Sequence, residues 1–428
     1  MSLLELFTET KKTLALFWQR KIFRIAILIQ IAYLTLSIVL FFLFLSNQND
    51  FVIFYESGKL VFTDIGSLYD QTKYLWDFRY FPLSAFFFIP FSILDFKTSF
   101  VIFNILNFFI NILIILVLYK IIIIVKGKDH EKNNKRVILY ISLYLMAAPH
   151  ILNYIYGQIN LYVTFFILAS LLIFLSRDSN ASNFLASLIL GISIIIKPTS
   201  VFLIPFLLLI RYDIKKKKFD FNFSKSLIRV FGLLIPVSSN LILFMLYPRL
   251  LNGFIATNFT GNNPSALNFS FSLTKLVTNF CFYFNLPYSQ LWVLVIIVGL
   301  FGILGFSFYV IRVKKEHSII YGYTLGILIM FLTYFDTWDH HLLNLIPLLI
   351  IIIFNLPRND IKVNLFKRGL FFFNFLDIIF LGAWFLTYVI FPFNFIPTIV
   401  LIICLYGVIG VLMQKQNELL REETFDEV

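Results

Sequence analysis

A few polar stretches interrupt an otherwise oily chain, and each carries residue types that do chemistry. Lys197 is the only charge between Phe184 and Ile210, inside "GISIIIKPTSVFLIPF". On insertion scales a lysine at mid-membrane costs about 2.5–3.5 kcal/mol, so such a residue faces a cavity or a partner rather than lipid. Its compact ammonium suits a phosphate oxygen; snorkelling to an interface is the structural alternative. Asp50 follows the first apolar run, and its carboxylate, ionised at neutral pH, is fit to take a proton from an attacking hydroxyl. The same position equally suits a helix N-cap ahead of "FVIFYESGKLVF". Asp77 and Arg79 in "WDFRYFP" read as an interfacial ion pair, and the guanidinium is also shaped to grip a phosphate.

Two further stretches offer ligands and hydrogen-bond donors. "YFDTWDHH" holds His340 and His341 with Asp336 and Asp339. Adjacent histidines point about 100° apart around a helix, so a metal-binding pair on one face would be Asp336 and His340. The sequence supplies no third ligand. A histidine donating to a ligand oxygen, with Trp338 as a packing wall, is the favoured reading, and no metal is expected. In "APHILNYIYGQIN", Gln158 and Asn160 open a span where caps and interhelical hydrogen bonds are common, and Gly157 allows a turn. The sequons at Asn258 and Asn268 are short patterns that arise often by chance.

The elements that position these residues are membrane helices. The chain has 428 residues, 60% of them hydrophobic, 55 Phe and a mean hydropathy of +0.88. A soluble domain could not bury that much apolar surface. The composition gives an all-α polytopic membrane protein as a single domain over 1–428. The net charge of +12 is then read as topology before nucleic-acid affinity, and no soluble basic domain is present to bind nucleic acid. Cys281 and Cys404 stand far apart and outside any metal or disulfide pattern. The first apolar run, 25–45, is too long for a signal-peptide core and is read as a retained span.

Twelve apolar runs are candidate spans: 25–45, 98–125, 137–152, 158–176, 183–196, 199–210, 227–247, 291–311, 318–335, 341–356, 369–391 and 395–413. The stretch 82–94, broken by Pro82 and Pro90, is too short to cross and is read as an interfacial or re-entrant helix in a first outer loop, 46–98. With both termini cytoplasmic, 28 of the 35 Lys and Arg residues lie inside, and seven, Lys197 among them, lie outside. That balance holds only if 184–210 is two short helices meeting at Lys197-Pro198, where proline disfavours helix continuation. Such a turn lies below the surface and lines a cavity. A second outer loop spans 248–290, and 414–428 is a cytoplasmic tail. The polar stretches thus gather on one outer face, as expected for a binding or reaction site.

In that order the motifs resemble glycosyltransferase family 87, polyprenyl-phosphate-sugar-dependent enzymes of the GT-C type that include α-mannosyltransferases. "NDFVIFYESGKLVFTDIGSLYD", "FRYFPLSAFFFIPFSIL", "GQINLYVTFFILASLL", "GISIIIKPTSVFLIPFLLLIR" and "DTWDHHLLNLIPLL" carry the likeness across about the first 350 residues. The resemblance implies a GT-C-type bundle of about 12 helices and an inverting, metal-independent transfer. A hexose, commonly mannose, would move from a polyprenyl-phosphate donor to a lipid or glycan hydroxyl on the outer face. The lipid-linked donor is a substrate, and no cofactor is implied. Asp50 would be the base, and Lys197 would hold the donor phosphate with His340, His341 and Arg79. Gln158 and Asn160 would shape the pocket; Tyr55, Tyr80 and Trp338 are further candidates for the site. A prokaryotic plasma membrane is the expected location. The departures are "TGNNPSALN", where Asn262 and Asn263 do not match the family's pattern, and the segment after 357, which carries no signature. A lipid-linked saccharide flippase would place polar residues on both sides of the bundle, whereas an O-antigen-type polymerase or ligase would share the outer-face site. The large loop 248–290 keeps the polymerase open as an alternative, whereas the sparse polar content of the inner loops disfavours the flippase.

Overall fold

The computed structural model describes residues 3–46, 49–74, 76–127, 130–213, 217–259, 270–311, 317–335, 337–358, 360–387 and 395–426. Helix α1 (Leu3–Trp18) turns at Arg20 into α2 (Lys21–Leu40), which widens into a π turn over Phe41–Leu45. After Asp50 comes α3 (Phe51–Thr63), then two single-turn helices, α4 (Ser84–Phe87) and α5 (Ile89–Ser92), within the stretch read as non-crossing. Next are α6 (Phe96–Lys126), α7 (His130–Leu145), α8 (Pro149–Ile155), α9 (Asn160–Ser176) and α10 (Asn180–Ile196). A 3-10 helix over Pro198–Leu207 follows, then a hairpin of β1 (Ile210–Asp213) and β2 (Lys218–Phe221) in antiparallel register. The second half runs α11 (Phe223–Leu246), α12 (Pro248–Phe259), α13 (Leu273–Tyr283), α14 (Gln290–Ile311) and α15 (Ser318–Thr333). A 3-10 turn, Asp339–Asn344, leads into α16 (Ile346–Asn355), α17 (Ile361–Thr387) and α18 (Ile396–Asp426).

The chain is an all-α polytopic membrane protein. Among the described residues, five helices can cross a bilayer alone by length and composition: Lys21–Leu45, Phe96–Lys126, Phe223–Leu246, Gln290–Ile311 and Ile396–Met413. Their exposed side chains, such as Met245, Ile296 and Ile303, are apolar, which is what a lipid-facing surface requires. Helices α15 and α16 differ. They are apolar all round and buried from Ile319 to Thr333 and from Ile346 to Phe354, so they form the centre of the bundle. Polar starts define the element ends. Asp95, Ser179, Asn222 and Ser272 each accept an N–H from the first turn of α6, α10, α11 and α13. Helices α10 and α11 lie in close contact, because a Cβ on Gly191 would come within 2.6 Å of the Leu233 carbonyl oxygen.

Three expectations change. The run 137–152 is not one continuous helix: α7 ends at Leu145 and α8 restarts at Pro149 with a 41° bend, so the pair is a broken span or a re-entrant loop. Pro149 lacks the N–H that a continuous helix would need. The loop 248–290 contains two helices, α12 and α13, and its Asn-rich part, including Asn262, Asn263 and Asn268, lies outside the described residues. The run 199–210 is a 3-10 helix and the first strand of a hairpin. The expected break at Lys197-Pro198 is present. Lys197 is extended (φ −145°, ψ 115°), and its N–H closes α10 on the Ser193 carbonyl at 2.9 Å.

Candidate active site

Asp50 stands at the N-cap position of α3, yet its side chain makes no capping bond. It accepts a hydrogen bond from Gln158 Nε2 instead. The backbone holds this pairing in place, because Phe51 N–H donates to the Tyr156 carbonyl at 3.1 Å. Gly157 makes the approach possible. Its φ is +60°, and a Cβ there would stand 2.7 Å from the Phe51 Cβ. Burial holds the Asp50 carboxyl above the usual carboxylate range, opposed by the Gln158 hydrogen bond and the charge of Lys197.

Lys197 is 6% exposed, and its Nζ donates to Asn160 Oδ1 at 2.8 Å. The same Nζ lies 2.7 Å from His341 Nε2. The other ring nitrogen of His341, Nδ1, accepts the Trp338 backbone N–H at 3.1 Å. A backbone N–H can only donate, so a neutral His341 carries its proton on Nε2. Two donors, an ammonium and an imidazole N–H, then face each other, and an acceptor atom is what this pair is short of. Among the described residues no carboxylate is ion-paired with Lys197. His340 packs edge-on against His341 with ring centres 4.5 Å apart and faces the Tyr156 ring at 6.2 Å.

Asn160 opens α9 and joins the two sides. Its Nδ2 donates to Asn153 Oδ1 at 3.3 Å, and Asn153 Nδ2 donates to the Gln158 carbonyl at 3.2 Å. Thr164, one turn along α9, donates to Asn344 Oδ1 at 2.8 Å and so ties α9 to the histidine turn. Sequence reasoning passed over Asn153, Asn344 and the α6 stripe of Asn104, Asn107 and Asn111. Asn104 donates to the Tyr154 carbonyl at 3.1 Å and Asn107 to that of Gln158 at 3.5 Å. The signal was there to find: buried amides spaced three and four apart in a hydrophobic helix mark one polar face.

The structure therefore brings Asp50, Gln158, Asn160, Lys197, His341 and His340 into one cluster, with the Trp338 backbone supporting it. Tyr80 stands beside it: burial raises its phenol pKa, with further contributions from the charges of Asp50 and, in the opposite sense, Arg79. Arg79 and Asp77 form the expected pair at 3.8 Å. Tyr55 does not join the cluster. Its hydroxyl donates to the Leu94 carbonyl at 2.8 Å, and Lys59 lies over its ring at 4.3 Å, so it secures α3 to the start of α6. Asp336 lies outside the described residues. Among the described residues no three His, Cys, Asp or Glu side chains converge as metal ligands.

A cluster of one buried carboxylate, one buried ammonium short of an acceptor, two imidazoles and several amides can hold an anionic group and take a proton from a nearby hydroxyl. No curated protein matches the chain. The sequence profile of glycosyltransferase family 87 matches residues 78–334, a stretch that contains Arg79, Gln158, Asn160 and Lys197. That match spans more than half of the chain, and the protein belongs to glycosyltransferase family 87.

Proposed function

We propose that this membrane glycosyltransferase moves a hexose from a polyprenyl-phosphate donor to a hydroxyl of a lipid or glycan acceptor, with mannose the first sugar to test. In a GT-C-type arrangement the site would open to the outer face of a prokaryotic plasma membrane, the side to which the basic-residue count assigns Lys197. The observation that carries the reading is Lys197. It is a buried ammonium bonded to an amide oxygen and facing an imidazole N–H, and among the described residues no carboxylate is ion-paired with it. A phosphate oxygen accepts from both donors at once.

The chemistry follows from the positions. The acceptor oxygen attacks the anomeric carbon while the bond from that carbon to the phosphate oxygen breaks, which inverts the centre. The bonding electrons leave with the lipid phosphate, where Lys197 and His341 stabilise the charge. Asp50 takes the acceptor proton, with Gln158 holding the carboxylate in place. A lipid phosphate is already a good leaving group, so alignment supplies much of the remaining rate.

The test is transfer of radiolabel in membranes from polyprenyl-phosphate mannose or glucose, compared with nucleotide sugars. Label passing from a polyprenyl-phosphate sugar to a lipid or glycan fraction supports the proposal. Transfer from nucleotide sugars alone, or movement of intact lipid-linked saccharide without a new glycosidic bond, contradicts it.

A further inference from the structure

We infer that Asn153 is a positioning residue whose single amide locks the proton-accepting side of this site to its anion-holding side. The inference rests on the reading of Asp50 as base and Lys197 as phosphate anchor. Asn153 is fully buried in α8, and its side-chain hydrogen bonds go to Gln158 and Asn160 rather than to either of those groups. Its Nδ2 donates to the Gln158 carbonyl at 3.2 Å, and the Gln158 side chain in turn donates to Asp50. Its Oδ1 accepts from Asn160 Nδ2 at 3.3 Å, and Asn160 Oδ1 in turn accepts from Lys197 at 2.8 Å.

The chemistry of an amide explains why asparagine stands there. The bridge needs a donor on one arm and an acceptor on the other, on a side chain short enough to stay inside the α8–α9 turn. Using Asn153 Oδ1 as the acceptor for Asn160 Nδ2 orients the Asn160 amide so that its oxygen, not its nitrogen, meets the lysine. The backbone adds a third tie, because Gln158 N–H donates to the Asn153 carbonyl at 2.8 Å. The support beneath is rigid as well. Asn107 donates to the same Gln158 carbonyl, and Asn104 donates to the carbonyl of Tyr154, the residue after Asn153. Base and anchor come from segments far apart in sequence, so a fixed spacing between them needs a part that bonds to both arms. Near-attack geometry tolerates little error, and a misplacement of about 1 Å costs on the order of 100-fold in rate.

The experiment compares wild type, Asn153→Ala, Gln158→Ala, Asn160→Ala and the two double variants that include Asn153→Ala. Sugar transfer is measured against pH, and binding of a short-chain polyprenyl phosphate is measured separately. The inference predicts that Asn153→Ala loses roughly 30–100-fold in kcat/KM while melting as a folded protein. It also predicts weaker polyprenyl phosphate binding and an acidic limb of the pH profile moved to higher pH, because a loosened Gln158 no longer favours the Asp50 carboxylate. In the double variants Asn153→Ala adds little to the loss from Gln158→Ala or Asn160→Ala, since each pair acts through one linkage. Wild-type kcat/KM in Asn153→Ala overturns the inference. So does a loss that leaves the pH limb and phosphate affinity in place and adds in full to the partner variants, which marks a role in stability alone. A wild-type protein that neither transfers the sugar nor binds polyprenyl phosphate overturns the glycosyltransfer reading itself, and the positioning role with it.

Discussion

Two buried cations stand at opposite ends of the 3-10 helix Pro198–Leu207, and their surroundings differ in kind. Arg229, on α11, donates through Nε to Asn183 Oδ1 at 2.6 Å and through Nη1 to the Leu207 carbonyl at 3.3 Å. Its guanidinium lies 4.5 Å from the centre of the Phe174 ring, and its charge reaches Asp178, which also pairs with Lys225 at 2.6 Å. These partners are two acceptors, an anion and a π face, all of which favour a cation. Lys197, at the other end, meets one amide oxygen and one imidazole whose neighbouring nitrogen is already an acceptor, and the charge of Asp50 reaches it without a direct ion pair. Burial of a charge and a carboxylate within reach are common to both, whereas Lys197 has one direct oxygen acceptor and Arg229 has two. The shorter set of acceptors points to a ligand; burial alone points only to a well-paired side chain.

Variants can break this contrast, and the largest effect is expected at the group proposed to take the proton. Asp50→Asn, assayed by sugar transfer in membranes, should lower kcat by about 100- to 10,000-fold with the melting temperature retained. Lys197→Ala should cost on the order of 100- to 1,000-fold in kcat/KM, as expected for removal of a charge that stabilises the leaving group. Arg229→Ala should behave oppositely. It leaves Asn183 and the Leu207 carbonyl without their donor, so thermal unfolding in detergent should show a loss of about 1–3 kcal/mol. Its transfer rate per folded molecule should stay within a few-fold of wild type. A large rate loss in Arg229→Ala with intact folding would erase the distinction between the two cations.

A smaller effect appears against pH. Because burial raises the Asp50 carboxyl and the base must be deprotonated to act, activity should fall as pH drops through that raised value. The acidic limb of kcat/KM should therefore lie above the ordinary carboxylate range, and Gln158→Ala should move it higher still, since the lost hydrogen bond was favouring the anion. A limb at the ordinary carboxylate value that ignores Gln158 would detach Asp50 from the role of base.

Different parts of this arrangement were readable from the chain to different depths. The Lys197-Pro198 break was legible because two independent signals coincide: proline stops a helix, and the basic clusters on both sides need the same face. The break between α7 and α8 was not, since Ala147-Ala148-Pro149 inside an apolar run is equally compatible with a kinked span. For Asp50 the capping and site readings were equal, because a carboxylate suits both at the same position. Tertiary structure removes the capping bond, through the approach of Gln158 that Gly157 permits. Asn153 gave no sequence signal of its own role, because a lone amide in an apolar helix bonds to whatever neighbour packing supplies. Tyr55 illustrates the reverse case: a plausible aromatic in the right stretch is spent on anchoring a helix.

The most direct measurement of the central claim is the affinity of the purified protein for a polyprenyl phosphate, the product and leaving group of the proposed transfer. Wild type and Arg229→Ala should bind it alike, whereas Lys197→Ala should bind at least roughly tenfold more weakly, as loss of one charge-assisted hydrogen bond demands. Equal affinity in wild type and Lys197→Ala would contradict the assignment of this buried lysine as the phosphate anchor.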